Sequence, residues 1–385
     1  MSKTLIFVAS HRRANKVADR MLGALAAHRR IELFSFDRGS VDHPVYSDAN
    51  VTHTSLGPIR DGVALSRLTS LVRATWILSR AKRRIKGPDT VLLVNNLELL
   101  IIGWLCGLTR LPTVYDVADI HPLQLSKSLG GRFMRWLERR ALKRVQLLVV
   151  TSPWYCWQYY TRWLGIAKPA ILIENKVGLS RVNWELRPTL NSGIAWNGLL
   201  RCPTSAMVLL ECLQTAPKFQ LSLHGSLSRL GAIGQKLIDQ PNCLFTGPYD
   251  AQSLGPRLAA SSFVWVIDFA EGENSKWLLP YRLYEGVAAG VPLIAVDGTA
   301  TAEVVCRFNI GIVLPECSPQ EVLQALRNCN PAIYDLWLAN VNGLRNTVLR
   351  HNEWALVFDD VSRWSELKRV PSEVDVGVVF GADVT

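Results

Sequence analysis

The chain has 385 residues, of which 49% are hydrophobic and 19% charged, with a formal net charge of +11 and a pI near 9.4. This composition excludes a disordered chain, and the length exceeds one ordinary core, so two domains of under about 200 residues each are expected. The basic balance calls for an acidic partner: nucleotide phosphates, an anionic lipid surface or nucleic acid. Eight cysteines stand singly, without a C-x-x-C pair or a Cys/His cluster, which excludes a disulfide framework and a zinc site.

Thr4 to Ala9 is a continuous apolar run, the pattern of a strand buried on both faces, and no signal peptide is expected. A loop with His11, Arg12 and Arg13 follows, then a helix over 16–27 and a strand over 31–36. This βαβ order calls for a parallel sheet with binding loops at the strand C-termini. The loop lacks G-x-G-x-x-G, which argues against a dinucleotide. His11 and Arg12 are candidates to touch an acceptor's phosphate or sugar, with a solvated basic turn as the other reading.

Residues 61–86 form a long helical pattern ending in five cations among seven residues, beside Trp76 and Ile77. Helix-dipole capping accounts for part of that charge; an anionic membrane surface or a plain solvated face accounts for the rest. Leu97 to Leu108 is the most hydrophobic run. As a helix it spans roughly 18 Å, short of a ~30 Å hydrocarbon core, so a buried helix is expected and no transmembrane segment.

The strand over 112–117 runs into Asp116, Asp119 and His121, two carboxylates and an imidazole at a strand end. Asp119 is the candidate for acceptor positioning or general base and His121 the second; the competing reading makes Asp119 an N-cap or turn former before Pro122. Residues 130–145 are an amphipathic helix with Phe133 and Trp136 among six Arg or Lys. The helix over 153–164 is crowded with aromatics, about half expected in the core and the others at a membrane interface or against sugar rings. No helix-turn-helix, zinc or RNP motif accompanies these basic segments, so nucleic acid is not expected as a partner.

In the second half, a strand reaches Gly198, where backbone can approach a ligand closely, and Arg201, a phosphate candidate. Strands over 219–223, 242–246 and 262–269 follow. A polar loop over 270–279, expected to be flexible, offers Ser275 and Lys276 to a donor sugar. The stretch from Leu278 to Asp297 is a helix, a stop at Gly290-Val-Pro292 and a buried strand. Arg282 and Glu285 lie about one turn apart on one helix face, near a helix N-terminus suited to an anion. Phosphate on the arginine and a ribose diol on the glutamate suggest a sugar nucleotide; an ordinary surface salt bridge is the competing reading. Helices over 299–308 and 319–328, a strand over 310–314 and an aromatic helical pattern over 351–367 complete the pattern.

The run P-x-R-L-x-E-x-x-A-x-G-V-P-L-I-A over 280–295 resembles the donor segment of the group 1 glycosyltransferases. The G-x-x-R loop at 198–201, the A-E-x-V then G-I order at 302–312 and the carboxylate loop at 116–122 are similar to further segments of that family. The resemblance implies the GT-B fold: α/β, with two Rossmann-like parallel-sheet domains facing a cleft. It divides the chain into an acceptor domain over 1–176, a linker over 177–192, a nucleotide-sugar domain over 193–350, a helix crossing back over 351–370 and a tail over 371–385. It gives Glu285 the ribose and Arg282 and Arg201 the phosphates.

Three departures stand out. The family's lysine after the G-x-x-R loop is absent, Trp277 holds the place of the first glutamate found in many retaining members, with Glu271 or Glu273 the candidates to substitute through a longer loop, and His121 follows rather than precedes the second aspartate. No D-x-D pair lies at a strand end of the second half, so neither a metal nor a cofactor is expected beyond the donor, a UDP-sugar being favoured. The implied activity is glycosyl transfer to a hydroxyl of a lipid-linked saccharide in exopolysaccharide or cell-envelope polysaccharide synthesis. The enzyme is expected in the cytoplasm, peripheral on the inner face of the cell membrane. A sugar-nucleotide epimerase or hydrolase of the same fold and a non-catalytic scaffold are the competing readings.

Overall fold

A computed structural model describes residues 4–9, 30–37, 49–58, 64–83, 90–177, 187–191, 193–250, 252–349, 354, 357–358, 364 and 376–381. The chain divides into two compact units, one of residues 1–173 with 351–373 and the other of residues 174–350 with 374–385.

The first unit is built on seven strands: β1 (Thr4–Ala9), β2 (Arg30–Asp37), β3 (Val51–Pro58), β4 (Thr90–Asn95), β5 (Thr113–Val117), β6 (Leu147–Val150) and β7 (Ala170–Leu172). All pair in parallel, in the order β3-β2-β1-β4-β5-β6-β7. Central strands such as Leu-Leu-Val-Val of β6 are buried throughout, as unbroken apolar runs in parallel sheets are. One sheet face, carrying Leu5, Val91, Leu93 and Val149, packs against Trp354, Phe358 and Trp364 of the same unit.

The second unit has six parallel strands: β8 (Ile194–Leu199), β9 (Leu221–Ser226), β10 (Cys243–Phe245), β11 (Phe263–Trp265), β12 (Leu293–Val296) and β13 (Gly311–Leu314). Their order is β10-β9-β8-β11-β12-β13. In both sheets the order reverses beside the first strand, between β1 and β4 and between β8 and β11. Ligands of such sheets sit at the carboxyl ends of the strands flanking that reversal.

Several elements differ from the sequence reading. The edge strand β3 is an addition; its half-polar Val-Thr-His-Thr-Ser run has little apolar signal. Helices Pro203–Thr215 and Pro331–Leu344 are likewise additions, each opened by a capping side chain and a proline in its first turn. The cap of the former is Cys202, whose Sγ accepts from the backbone N–H groups of Ser205 and Phe269. The aromatic helix is a π-helix, Tyr155–Trp163, with Trp154, Tyr155, Trp157, Tyr159 and Tyr160 buried. Its wide turn packs these rings inward, so they are core and not a membrane or sugar-stacking face. The segment expected to be a flexible polar loop contains the helix Glu273–Trp277, ordered by burial of Asn274, Ser275 and Trp277.

Residues 376–381 lie in the second unit as short turns with a kink at Val379 and Phe380, a stretch that gives no signal in the sequence. Phe380 lies 5.9 Å from the Tyr284 ring and 5.1 Å from that of Phe308, and its N–H donates to the Glu174 carboxylate at 3.0 Å. Tyr284 donates to the same carboxylate at 3.1 Å. No helix among the described residues is long and apolar enough to cross a membrane.

Candidate functional site

The strand ends of the second unit gather buried charge. Strand β8 ends at Asn197-Gly198-Leu199, beside Gly225 of β9. Gly225 has φ +132, and a Cβ there would lie 1.9 Å from the Gly198 carbonyl oxygen, so only glycine permits this approach. Just beyond, Arg201 Nε donates to Asp268 Oδ2 at 3.3 Å and its Nη1 to Glu271 Oε1 at 2.5 Å. Arg282 Nη2 donates to the same Asp268 oxygen at 3.3 Å. Asp268, directly after β11, thus holds two guanidinium groups at once, while its other oxygen accepts the Ala270 N–H at 2.8 Å.

Arg282 is only 8% exposed, and its Nη1 is buried without a hydrogen-bond partner. Burial lowers its pKa first; Asp268 opposes that shift, and the like charge of Arg201 adds to it. A buried cationic donor lacking an acceptor is costly, and an anionic oxygen is what would relieve it. The pair Arg282 and Glu285 is therefore no surface salt bridge. Glu285, 1% exposed, accepts from Asn197 Nδ2 at 2.7 Å and from the Tyr249 hydroxyl at 3.4 Å. Burial and then the Glu285 charge push the Tyr249 phenol upward, so it stays a donor.

The helix that carries both residues, Tyr281–Ala289, begins after Pro280 and closes on Gly290 in the left-handed conformation. It is buried along its length except at Tyr281, which fixes both side chains. A small recess lies at the ends of β11 and β12, lined by Asp268, Ser275, Leu278, Pro280, Thr299 and Thr301. Ser275 is buried there, its Oγ accepting the Glu271 N–H at 2.9 Å. Lys276 is half-exposed and pairs with Glu273 at 2.7 Å. Farther along β9, burial lowers His224 to about 4, so it is neutral, with Nδ1 2.8 Å from the Thr246 hydroxyl. Asn197, Tyr249 and Asp268 are absent from the sequence reading. The available signals are an asparagine inside the apolar β8 and an aspartate closing Val-Trp-Val-Ile-Asp.

In the first unit, Asn95 at the end of β4 donates to Asp116 of β5 at 2.8 Å. Asp119 is exposed. His121 caps the short helix Pro122–Leu125: its Nδ1 accepts the Leu123 N–H at 3.1 Å, so the ring carries its proton on Nε2 when neutral. Gln124 completes the capping box by accepting the His121 N–H at 2.9 Å. Its amide nitrogen donates at 3.1 Å to both oxygens of Glu138 and to the Tyr159 hydroxyl. Tyr159 in turn donates a short hydrogen bond to Glu138. Glu138 is fully buried, and desolvation raises its pKa to about 7 against those hydrogen bonds. A buried node thus anchors the loop that carries Asp119 and His121. His11 and Arg12 lie outside the described residues.

Two doubly wound parallel sheets, one with arginines and carboxylates gathered at the strand ends beside its reversal, define the GT-B class of α/β enzyme. Residues 14–173 match the family model described as a glycosyl transferase 4-like domain. Over 337 residues, 83% of this chain, the sequence is 32% identical to the succinoglycan biosynthesis protein ExoL of Rhizobium meliloti strain 1021, of which 82% is covered. The fold is similar to that of sucrose-phosphate synthase from Thermosynechococcus elongatus, with TM-score 0.72, 15% identity and coverage of 94% of this chain and 99% of that one. It is also similar to Anabaena HepE in complex with UDP, with TM-score 0.63, 13% identity and coverage of 95% and 100%. The chain belongs to the group 1 glycosyltransferases and is a glycosyltransferase of the GT-B type.

Proposed function

We propose that the enzyme takes its sugar from a nucleoside-diphosphate sugar bound at the strand ends of the second unit, and that UDP is the favoured carrier. The acceptor is a hydroxyl of a lipid-linked saccharide in exopolysaccharide or cell-envelope polysaccharide assembly. Arg282 is the observation that carries the donor part, since its buried Nη1 has no acceptor. A diphosphate oxygen fills that position, and Arg201 meets the same group once it turns from Glu271. As the bond to the anomeric carbon breaks, charge grows on the leaving diphosphate. Two guanidinium groups and the dipole of the Tyr281–Ala289 helix favour that charge more in the transition state than in the ground state. Positive charge comes from arginine, and no metal or cofactor enters the reading. Glu285, oriented by Asn197, accepts from the ribose hydroxyls.

Two solved relatives of the fold support a uridine carrier: Anabaena HepE was solved with UDP, and trehalose-6-phosphate synthase of E. coli with UDP-2-fluoro glucose. The polysaccharide setting rests on likeness to a succinoglycan biosynthesis protein. On the acceptor side, Asp119 positions or deprotonates the attacking hydroxyl and His121 assists. His11 and Arg12 meet acceptor phosphate or sugar, while Ser275 and Lys276 meet the donor sugar. A lipid-linked acceptor places the enzyme at the inner face of the cell membrane, against an anionic surface. Calorimetry with UDP, GDP and ADP tests the donor site. UDP is expected to bind, and Glu285→Ala and Arg282→Ala each to weaken it by on the order of 1 to 3 kcal/mol. Wild-type protein that binds none of the three sinks the assignment.

A further inference from the structure

The helix Leu129–Leu142 of the first unit has two chemically different sides. Glu138, Ala141 and Leu142 face inward and are buried. On the opposite side, at helical spacing, stand Leu129, Arg132, Phe133, Trp136 and Arg140, all exposed. Phe133 is 60% and Trp136 46% exposed, yet their rings stack 5.8 Å apart, and the Arg140 guanidinium lies 5.1 Å from the Trp136 ring. A second helix of the same unit, Ala64–Ala81, repeats the device. Val72, Trp76 and Arg80 follow one another at four-residue spacing, all exposed, with Arg80 3.7 Å from the Trp76 ring. The helix Leu97–Leu105 packs against both and ends in exposed Leu105. Neither of the two outer helices carries an acidic residue other than the buried Glu138.

Exposed aromatic rings interleaved with arginines, on two helices whose one carboxylate is the buried Glu138, form a surface that is apolar and cationic at once; the third helix adds the half-buried Glu98 in its first turn, at the end opposite Leu105. A second copy of this chain is a poor occupant, because self-pairing would set arginine against arginine. We infer that this three-helix surface is where the enzyme lies on an anionic lipid bilayer, with Trp76, Phe133 and Trp136 at headgroup depth and Arg80, Arg132 and Arg140 on lipid phosphates. The inference deepens the membrane part of the proposal above and rests on it for its biological sense. Its residues are separate from those of the donor site. The basic charge draws the protein to the surface within a Debye length, and the rings hold it there, so either loss alone weakens binding.

The test is co-sedimentation with phosphatidylglycerol-containing vesicles, compared with vesicles of phosphatidylcholine alone, with UDP calorimetry on the same samples. Wild-type protein is expected on the anionic vesicles and not on the neutral ones, and to be released as salt rises. Phe133→Ser with Trp136→Ser, and separately Arg132→Ser with Arg140→Ser, are expected to lower partitioning about tenfold or more. Both are surface changes, so unaltered UDP binding serves as the check that the protein is folded. Wild-type protein that ignores anionic vesicles, or double variants that bind them as well as wild type, overturns the inference. Light scattering that finds a dimer dispersed by Phe133→Ser also overturns it, by giving the face to a second copy. Vesicle binding that depends on these residues in a protein that binds no nucleotide upholds the surface and removes the donor assignment instead.

Discussion

The carboxyl ends of the two sheets are furnished in opposite ways. In the second unit the polar groups beside the strand-order reversal are engaged with one another, Arg201 and Arg282 on Asp268 and Asn197 on Glu285, and all but the half-buried Arg201 are buried. In the first unit the groups with chemistry to offer, Asp119 and His121, are exposed, and the buried polar groups sit one layer behind them in the Gln124, Glu138 and Tyr159 node. The former arrangement suits a ligand of fixed charge, because Asp268 holds the Arg282 guanidinium in place before it arrives. The latter suits a variable ligand, with a rigid base under an open loop.

The comparison is broken most severely at its best-buried charge. Arg282→Ala leaves Asp268 with one guanidinium instead of two. It is expected to cost about 3 to 5 kcal/mol in urea unfolding, besides weakening UDP binding by the roughly 1 to 3 kcal/mol expected above. Gly225→Ala sets a Cβ against the Gly198 carbonyl at a φ that disfavours side chains, for an expected loss of about 3 kcal/mol by the same measurement.

The node in the first unit gives an effect of similar or smaller size that depends on pH. The Glu138 carboxyl has a folded pKa of about 7 against an ordinary 4.5, so the folded state holds its proton more tightly. Its protonation-linked contribution is fully present below about pH 4.5 and is lost as pH rises through about 7. It amounts to on the order of 3 kcal/mol. The stability difference between wild type and Glu138→Gln, followed by urea unfolding from pH 4 to 8, should carry that slope; a flat difference would place the titration elsewhere. Lys276→Ala removes a half-exposed ion pair and is expected to change stability by about 0.5 kcal/mol or less, read as a small shift in Tm.

The alternation of strand and helix is legible in the sequence, because each buried parallel strand is an apolar run bounded by polar turns. The helix Tyr281–Ala289 is legible too, since Arg282, Glu285, Gly290 and Pro292 fall within one short window. Their partners are not. Asn197 meets Glu285 across 88 positions and Arg201 meets Asp268 across 67, distances over which local spacing has no purchase. The π-helix hides for a different reason: its aromatics read as an amphipathic surplus until a wider turn brings nearly all of them inside. Helix Pro331–Leu344 escapes because its apolar positions alternate with asparagines that read equally well as loop.

The chain passes between the units at 173–174, 350–351 and 373–374. Neither unit is therefore a continuous stretch of gene. A fragment ending near residue 176 would lack Trp354, Phe358 and Trp364, and would expose the sheet face they cover. A fragment ending at 373 would keep every donor-site side chain named above but lose Phe380, the cover of Tyr284 one residue from Glu285 and two from Arg282. Chimeras with a relative must accordingly exchange interleaved segments, and an experimenter who trims the last dozen residues for convenience uncovers the helix that carries Arg282 and Glu285.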